Sequence, residues 1–273
     1  MLYASDVRAY YRRSPLEVPP FWNLSRKHVR IVLYNGRFLK MNRFRNRLSV
    51  RDLRYLCVKY APVHVYFSVL DWLFPERVGR KYKANHALPL GGQYIFDVDS
   101  HNVWASHNHH NRGAVCPGCL HNAKFFTIHV CEAIEQNHSN LMIVFSARKG
   151  FHIHVLDFNL RDWTYYNERN PIKSQEVARF RYTRLLAGFL PVNRPHFLLS
   201  TDPMRIISVP YSLNAETGLV CVPVGNRKTL ERLTIEEIIK MASPYSHNLL
   251  DQSALDLYNA HPEPWKSTLR AWC

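Results

Sequence analysis

No run of about 18 apolar residues occurs in the chain, so no helix long enough to cross a bilayer is expected. The first residues lead into Tyr10-Tyr11-Arg12-Arg13 with no apolar stretch before them, so no signal peptide is expected, and the chain is read as intracellular with no membrane partner. Cysteine is sparse. Its 6 positions, 57, 116, 119, 131, 221 and 273, include one close pair, which excludes a disulfide framework and leaves room for a metal site. Acidic side chains are in deficit too, 21 against 36 Lys and Arg, for a net charge of +15 and a pI near 9.7. That excess is spread along the chain and points to a polyanionic partner, nucleic acid first. With no internal repeat and no Pro/Gly/Ser-rich linker, residues 1–273 are read as one domain.

What is present is a series of short periodic stretches. Ile31 to Tyr34 turns at Asn35-Gly36 into Arg37-Phe38-Leu39, which predicts a hairpin. Ser49 is placed to cap a helix running through Tyr60, with Leu53, Leu56, Cys57 and Tyr60 on one face and Pro62 ending it. His64-Val65-Tyr66-Phe67-Ser68 reads as a strand and 75–89 as a loop. A helix leads out from Leu120, with Ala123, Thr127, Val130, Cys131 and Ile134 at helical spacing. Leu141 to Phe145 and Phe151 to Val155 predict two strands around the turn Ala147-Arg148-Lys149-Gly150, with His152 and His154 on the face away from the apolar one. Further helices are predicted from about Ser174 to Leu190 and, behind a Thr234/Glu237 capping box, from Ile235 to Met241; Leu219 to Val224 reads as a strand.

The stretch that organises these is Gln93-Tyr94-Ile95-Phe96-Asp97-Val98-Asp99-Ser100. Strand side chains alternate, so Asp97 and Asp99 point the same way while Tyr94, Phe96 and Val98 face a core. Two adjacent carboxylates repel, and a divalent cation removes that conflict. Between Ser100 and Gly118 lies a tract of His, Asn and Cys without periodicity. His107, His110, Cys116 and Cys119 there have the spacing H-x₂-H-x₅-C-x₂-C, suited to a structural Zn²⁺, with His101, His109 and His121 as competing ligands.

Three motifs stand in order: Asp97-x-Asp99, Ser146-x-Arg148-Lys149-Gly150-x-His152, and Asp202 followed by Arg205 and Pro210-x-Ser212. With Tyr10-Tyr11-Arg12, the strand at 64–68 and Thr217-Gly218, they make the chain resemble the archaeo-eukaryotic primase family, specifically the small catalytic subunit of DNA primase. The resemblance implies an α+β fold. In it a mixed-sheet palm related to the RNA-recognition-motif fold is flanked by helices and carries a zinc knuckle inserted at about 101–119. It implies a template-dependent nucleotidyltransferase that makes short primers on single-stranded DNA from NTPs or dNTPs, with a primase large subunit bearing an iron–sulfur domain as partner. Asp97 and Asp99 would bridge two Mg²⁺ or Mn²⁺ ions about 4 Å apart, with Asp202 from a second strand completing the cage. Ser146, Arg148, Lys149, Gly150, His152, Arg205 and Ser212 would hold the nucleotide.

The chain departs from the family's pattern at Ala147, where Gly is common, at Ser208, where a second arginine stands, and at Asn214 and Glu216 in place of His and Lys. An upstream Arg-Glu pair appears as Arg26-Lys27. Two other functions use some of the same residues: a non-catalytic zinc-containing nucleic-acid-binding module, and a metal-dependent nuclease. The first does not need the acidic triad, and the second does not need the Ser146–His152 cradle.

Overall fold

Two antiparallel sheets carry the periodic stretches read above. A computed structural model describes residues 2–13, 16, 23–39, 48–79, 84–100, 115–158, 170–188 and 201–244. Strand β1 (Lys27–Val32) turns at Asn35-Gly36 into β2 (Phe38–Leu39), as the Asn-Gly signal predicts. Helix α1 (Ala4–Arg13) precedes them and α2 (Val50–Tyr60) follows. In α2 the Ser49 side chain accepts from Asp52 N and the Asp52 carboxylate accepts from Ser49 N, a reciprocal cap that satisfies two otherwise unpaired donors. Ala61 ends it in the left-handed region at φ 45°.

Strand β3 (His64–Trp72) is the spine of a five-stranded sheet. One edge pairs with β1; the other is shared by β8 (Ile206–Ser208) along Tyr66–Ser68 and by β4 (Pro89–Gly92) along Leu70–Trp72. The four-stranded sheet has the order β11-β6-β7-β5, from β5 (Tyr94–Asp99), β6 (Leu141–Phe145), β7 (Gly150–Val155) and β11 (Val222–Gly225). Strands β9 (Leu213–Asn214) and β10 (Leu219–Val220) form a separate hairpin.

The apolar face of the four-stranded sheet takes Tyr94, Phe96, Phe145, Phe151 and Ile153 out of water, each worth roughly 1.5–3 kcal/mol for a large side chain. Helix α3 (Pro117–Glu135) lies across β7 and buries Ala123, Phe126, Val130, Cys131 and Ile134. Helix α4 (Pro171–Ala187) packs on β4, and its Tyr182 ring meets those of Tyr94 and Phe158 at 4.8 and 4.5 Å. Helices α5 (Arg227–Arg232) and α6 (Ile235–Met241) close the described chain, α6 behind the Thr234–Glu237 capping box.

Several expectations change. Every strand pairing among the described residues is antiparallel, so the mixed sheet has no parallel pair there. The stretch 75–89 is not a bare loop: it contains two 3₁₀ turns, Pro75–Arg77 and Ala84–Ala87, and leads into β4. The strand read from Leu219 to Val224 breaks at Cys221, whose backbone is taken by Tyr211 N (2.6 Å) and Ser212 O (2.9 Å). Helix α3 begins earlier than the spacing suggests, because Pro117 fits the first helical position and Cys116 becomes the N-cap. Helices α1 and α5 were not legible from periodicity.

Candidate active site

Antiparallel partners share a face, so the register decides what the acidic strand meets. Asp97 lies opposite His152 and Asp99 opposite Gly150. A Cβ on Gly150 would stand 1.8 Å from the Val98 carbonyl oxygen, so only glycine lets the two backbones approach there. Gly150 thus fixes the seat of Asp99 by packing. His152 and His154, expected on an open face, are both buried, because that face of β7 is covered as well. Burial pushes the His152 imidazole below its ordinary range, opposed by Asp97, furthered by Arg205 and opposed again by Asp99, so the ring is neutral near pH 7. Its Nε2 lies 3.6 Å from Asp97 Oδ1, and its Nδ1 has no hydrogen-bond partner among the described residues.

Arg205 reaches Asp97 from the other sheet. Its Nη2 donates to Asp97 Oδ2, while its backbone N–H bonds to Asp202 O (3.2 Å) and its carbonyl accepts from Val69 N (3.0 Å). Asp202 stands in the turn that leads into β8 and not on a strand: its Oδ1 accepts from Met204 N at 2.8 Å, and Pro203 has no N–H for a ladder. Among the described residues no group of three or more His, Cys, Asp or Glu is arranged to hold a metal. Asp97, Asp99 and Asp202 therefore do not form such a group in this conformation. Asp97 and Asp99 do fit a hard cation by donor chemistry: both offer oxygen only, on one face, and one has already drawn a cationic guanidinium to itself.

The turn between β6 and β7 is closed by Ser146 N on Gly150 O (2.9 Å) and Gly150 N on Ser146 Oγ (3.2 Å). Ala147 adopts φ 64°, a conformation that suits the glycine common there. Thr217 Oγ1 donates to Ala147 O at 2.8 Å, and Lys149 O accepts from Ser100 N at 3.1 Å. Arg148 stays about a third exposed, its Nη1 3.2 Å from Glu216 Oε2; Glu216 Oε1 lies 3.5 Å from His64 Nε2. Asn214 accepts from the backbone N–H groups of Glu216 (3.0 Å) and Thr217 (3.3 Å), so its side chain shapes its own turn. Ser212 is buried, its N–H on Val209 O and its carbonyl taken by Cys221 N, which makes it part of the loop's frame. That loop hangs from α1: Tyr10 Oη donates to Tyr211 O (2.8 Å) and Tyr11 Oη accepts from Leu213 N (3.1 Å).

Cys116 and Cys119 adjoin at the start of α3, and burial, the Cys116 thiol and Asp99 together push the Cys119 thiol upward. His107 and His110 lie outside the described residues, so half of the zinc donor set is on view.

Behind the acidic strand is a layer of sealed charge that sequence reasoning missed. Lys27 is buried with its Nζ on Val69 O and 2.9 Å from Asp71 Oδ1. Arg179 is 0% exposed; its Nη2 donates to Gln93 O (3.1 Å), its guanidinium lies 5.5 Å from the Tyr94 ring, and Nε and Nη1 have no partner among the described residues. Burial pulls its pKa down to about 10, opposed by Tyr94, Asp202 and Asp71, so it stays charged at neutral pH. The signal for Arg179 was an arginine on the apolar stripe of a helix, beside Ala178, Tyr182 and Leu186. Glu216 had only its departure from the resembled pattern.

The fold thus sets an acidic strand beside a glycine-pinned turn and faces it with an arginine from a second sheet. In fold the chain is similar to the polymerase domain of ligase D from Mycobacterium tuberculosis, solved in complex with DNA, at TM-score 0.50 and 13% identity over 87% of each chain. In sequence it is similar to the DNA primase small subunit PriS of Pyrobaculum arsenaticum, 28% identical over 74% of this chain and 72% of that protein. The counterpart from Pyrobaculum calidifontis is 24% identical over 83% of this chain and 79% of its own. A DNA primase small subunit-like protein of Archaeoglobus fulgidus is 24% identical over 78% and 71%. No protein-family model matches the chain. The resemblance to the archaeo-eukaryotic primase family is thus borne out by relatives that span most of the chain.

Proposed function

We propose that the chain is a DNA-directed nucleotidyltransferase of the primase type, which builds short primers on a single-stranded DNA template from NTPs or dNTPs. The kinship with primase small subunits and with a polymerase domain supports this class of enzyme. The observation that carries it is the joint placement of Asp97 and Asp99 on one face of β5 beside the Arg148–Lys149 turn, with Arg205 facing them. Asp97 and Asp99 would hold Mg²⁺ or Mn²⁺, with Asp202 brought in from its turn. When bound, such ions neutralise charge on the attacking and leaving oxygens. The chain's own groups do the rest. Arg148, Lys149 and Arg205 take the triphosphate and its pyrophosphate leaving group through charge-assisted hydrogen bonds. Neutral His152 backs Asp97 without adding charge, and Gly150 keeps the strand backbones close enough to hold Asp99 in place. The net charge of +15 draws in the template strand.

The palm is read as one related to the RNA-recognition-motif fold. Cys116 and Cys119, with His107 and His110, are read as a structural Zn²⁺ knuckle, checked by metal analysis of the protein beside Cys116→Ser. The large primase subunit is the partner this reading implies.

The test incubates the protein with single-stranded DNA, labelled NTPs or dNTPs and Mg²⁺ or Mn²⁺. Short products are expected, and Asp97→Asn or Asp99→Asn should lower their yield by about 100-fold or more, since an amide supplies no charge to the ion. Circular dichroism and DNA binding should stay as in the parent. Near-normal yield from either variant would sink the assignment.

A further inference from the structure

We propose that Glu216 tunes the affinity of this site for nucleotide. Its carboxylate sits against the Arg148 guanidinium, offsets its charge, and so sets how strongly the 146–150 turn takes up triphosphate. The proposal rests on reading that turn as the triphosphate cradle.

Glu216 is delivered to Arg148 by a fixed loop. Its own N–H and that of Thr217 are tied to Asn214 Oδ1, the Thr217 hydroxyl is tied to Ala147 O, and Ala215 N donates to Val63 O at 3.0 Å. The carboxylate is 28% exposed and lies between Arg148 Nη1 at 3.2 Å and His64 Nε2 at 3.5 Å. Its Oε2 is out of solvent and makes no aligned hydrogen bond, so the contact with Arg148 is one of charge and not a two-pronged pair. The guanidinium keeps donors for a second anion. That anion, however, approaches against the charge of Glu216. Burial pushes the His64 imidazole below its ordinary range, against the pull of Glu216, so near pH 7 it does not cancel the carboxylate.

One unit charge beside a partly exposed anion site changes its occupancy about 3- to 10-fold. Glu216→Gln should therefore bind Mg²⁺-ATP and Mg²⁺-dATP about 3- to 10-fold more tightly in equilibrium dialysis, and Glu216→Lys more tightly still. Affinity of Glu216→Gln for a single-stranded oligonucleotide at physiological salt should stay within about twofold. In an Arg148→Ala background the gain from Glu216→Gln should shrink to less than half, because the neutralisation of Arg148 is lost and only the direct repulsion by Glu216 is left. Unchanged or weaker nucleotide binding by Glu216→Gln overturns the proposal, as does a gain of undiminished size after the loss of Arg148. Primer synthesis is read in parallel. Nucleotide shifts as described in a chain that synthesises nothing break the functional reading and leave the role of Glu216 standing. Synthesis without the shifts breaks this inference alone, and no nucleotide binding by any variant overturns both.

Discussion

Arg148 and Arg179 carry the same charge near the same acidic strand, yet one stands 35% exposed on a turn and the other is sealed between α4 and the sheet. The open one has a carboxylate partner that solvent and ligands can replace. The sealed one has a backbone carbonyl, an aromatic face and two acidic neighbours acting through a poorly screening interior. Open charges here exchange partners; sealed ones hold the frame.

The strongest way to break that contrast is to remove each arginine in turn. Arg179→Ala leaves a cavity and removes the bond to Gln93 O, so stability should fall by about 2–4 kcal/mol in urea unfolding. Arg148→Ala should cost at most about 1 kcal/mol, as exposed ion pairs do, while nucleotide use drops by tenfold or more. Equal stability losses for the two would erase the distinction.

A second test sharpens it through pH. Burial pushes the imidazoles of His154 and His28 below their ordinary range. The unfolded chain binds these protons near pH 6.5 and the native chain does not, so the unfolded state holds more protons below that value and stability falls with falling pH. Each sealed histidine removes up to about 1.4 kcal/mol per pH unit below 6.5, which denaturant midpoints at pH 7.5 and 5.5 will read. A flat profile would mean that these rings charge freely in the folded protein. The smallest effect belongs to the turn. Ala147 sits at φ 64°, so Ala147→Gly should relieve left-handed strain and gain about 0.5–1 kcal/mol, less the extra freedom glycine has when unfolded.

How much of this was legible depended on range. The period of two along Tyr94–Asp99 fixed which side chains share a face, and the caps at Ser49 and Thr234 fixed two helix starts, because those signals lie within a few residues. The motif order singles out Asp97 and Arg205, which the fold brings into contact. What no local signal carries is the pairing of Lys27 with Asp71, or of Glu216 with Arg148 and His64, since each joins strands or turns far apart in the chain. The burial of His152 and His154 was missed for the same reason: alternation says that a face differs, not what covers it. Asp202 is placed on a second strand by the resemblance, whereas Pro203 and the Asp202–Met204 bond make it a turn.

The hold of α1 on the 209–215 loop sets the order of events during synthesis. Tyr10 and its acceptor on Tyr211 are 201 positions apart, and Leu2 N bonds Ala215 O at 2.7 Å. At about 5–20 residues per second the first helix waits roughly 10–40 s on the ribosome before its partners emerge. Until then the 146–150 turn has no Thr217 hydroxyl on Ala147 and no carboxylate on Arg148. The nascent chain therefore finishes this turn late, by joining α1 to a loop about 200 positions downstream.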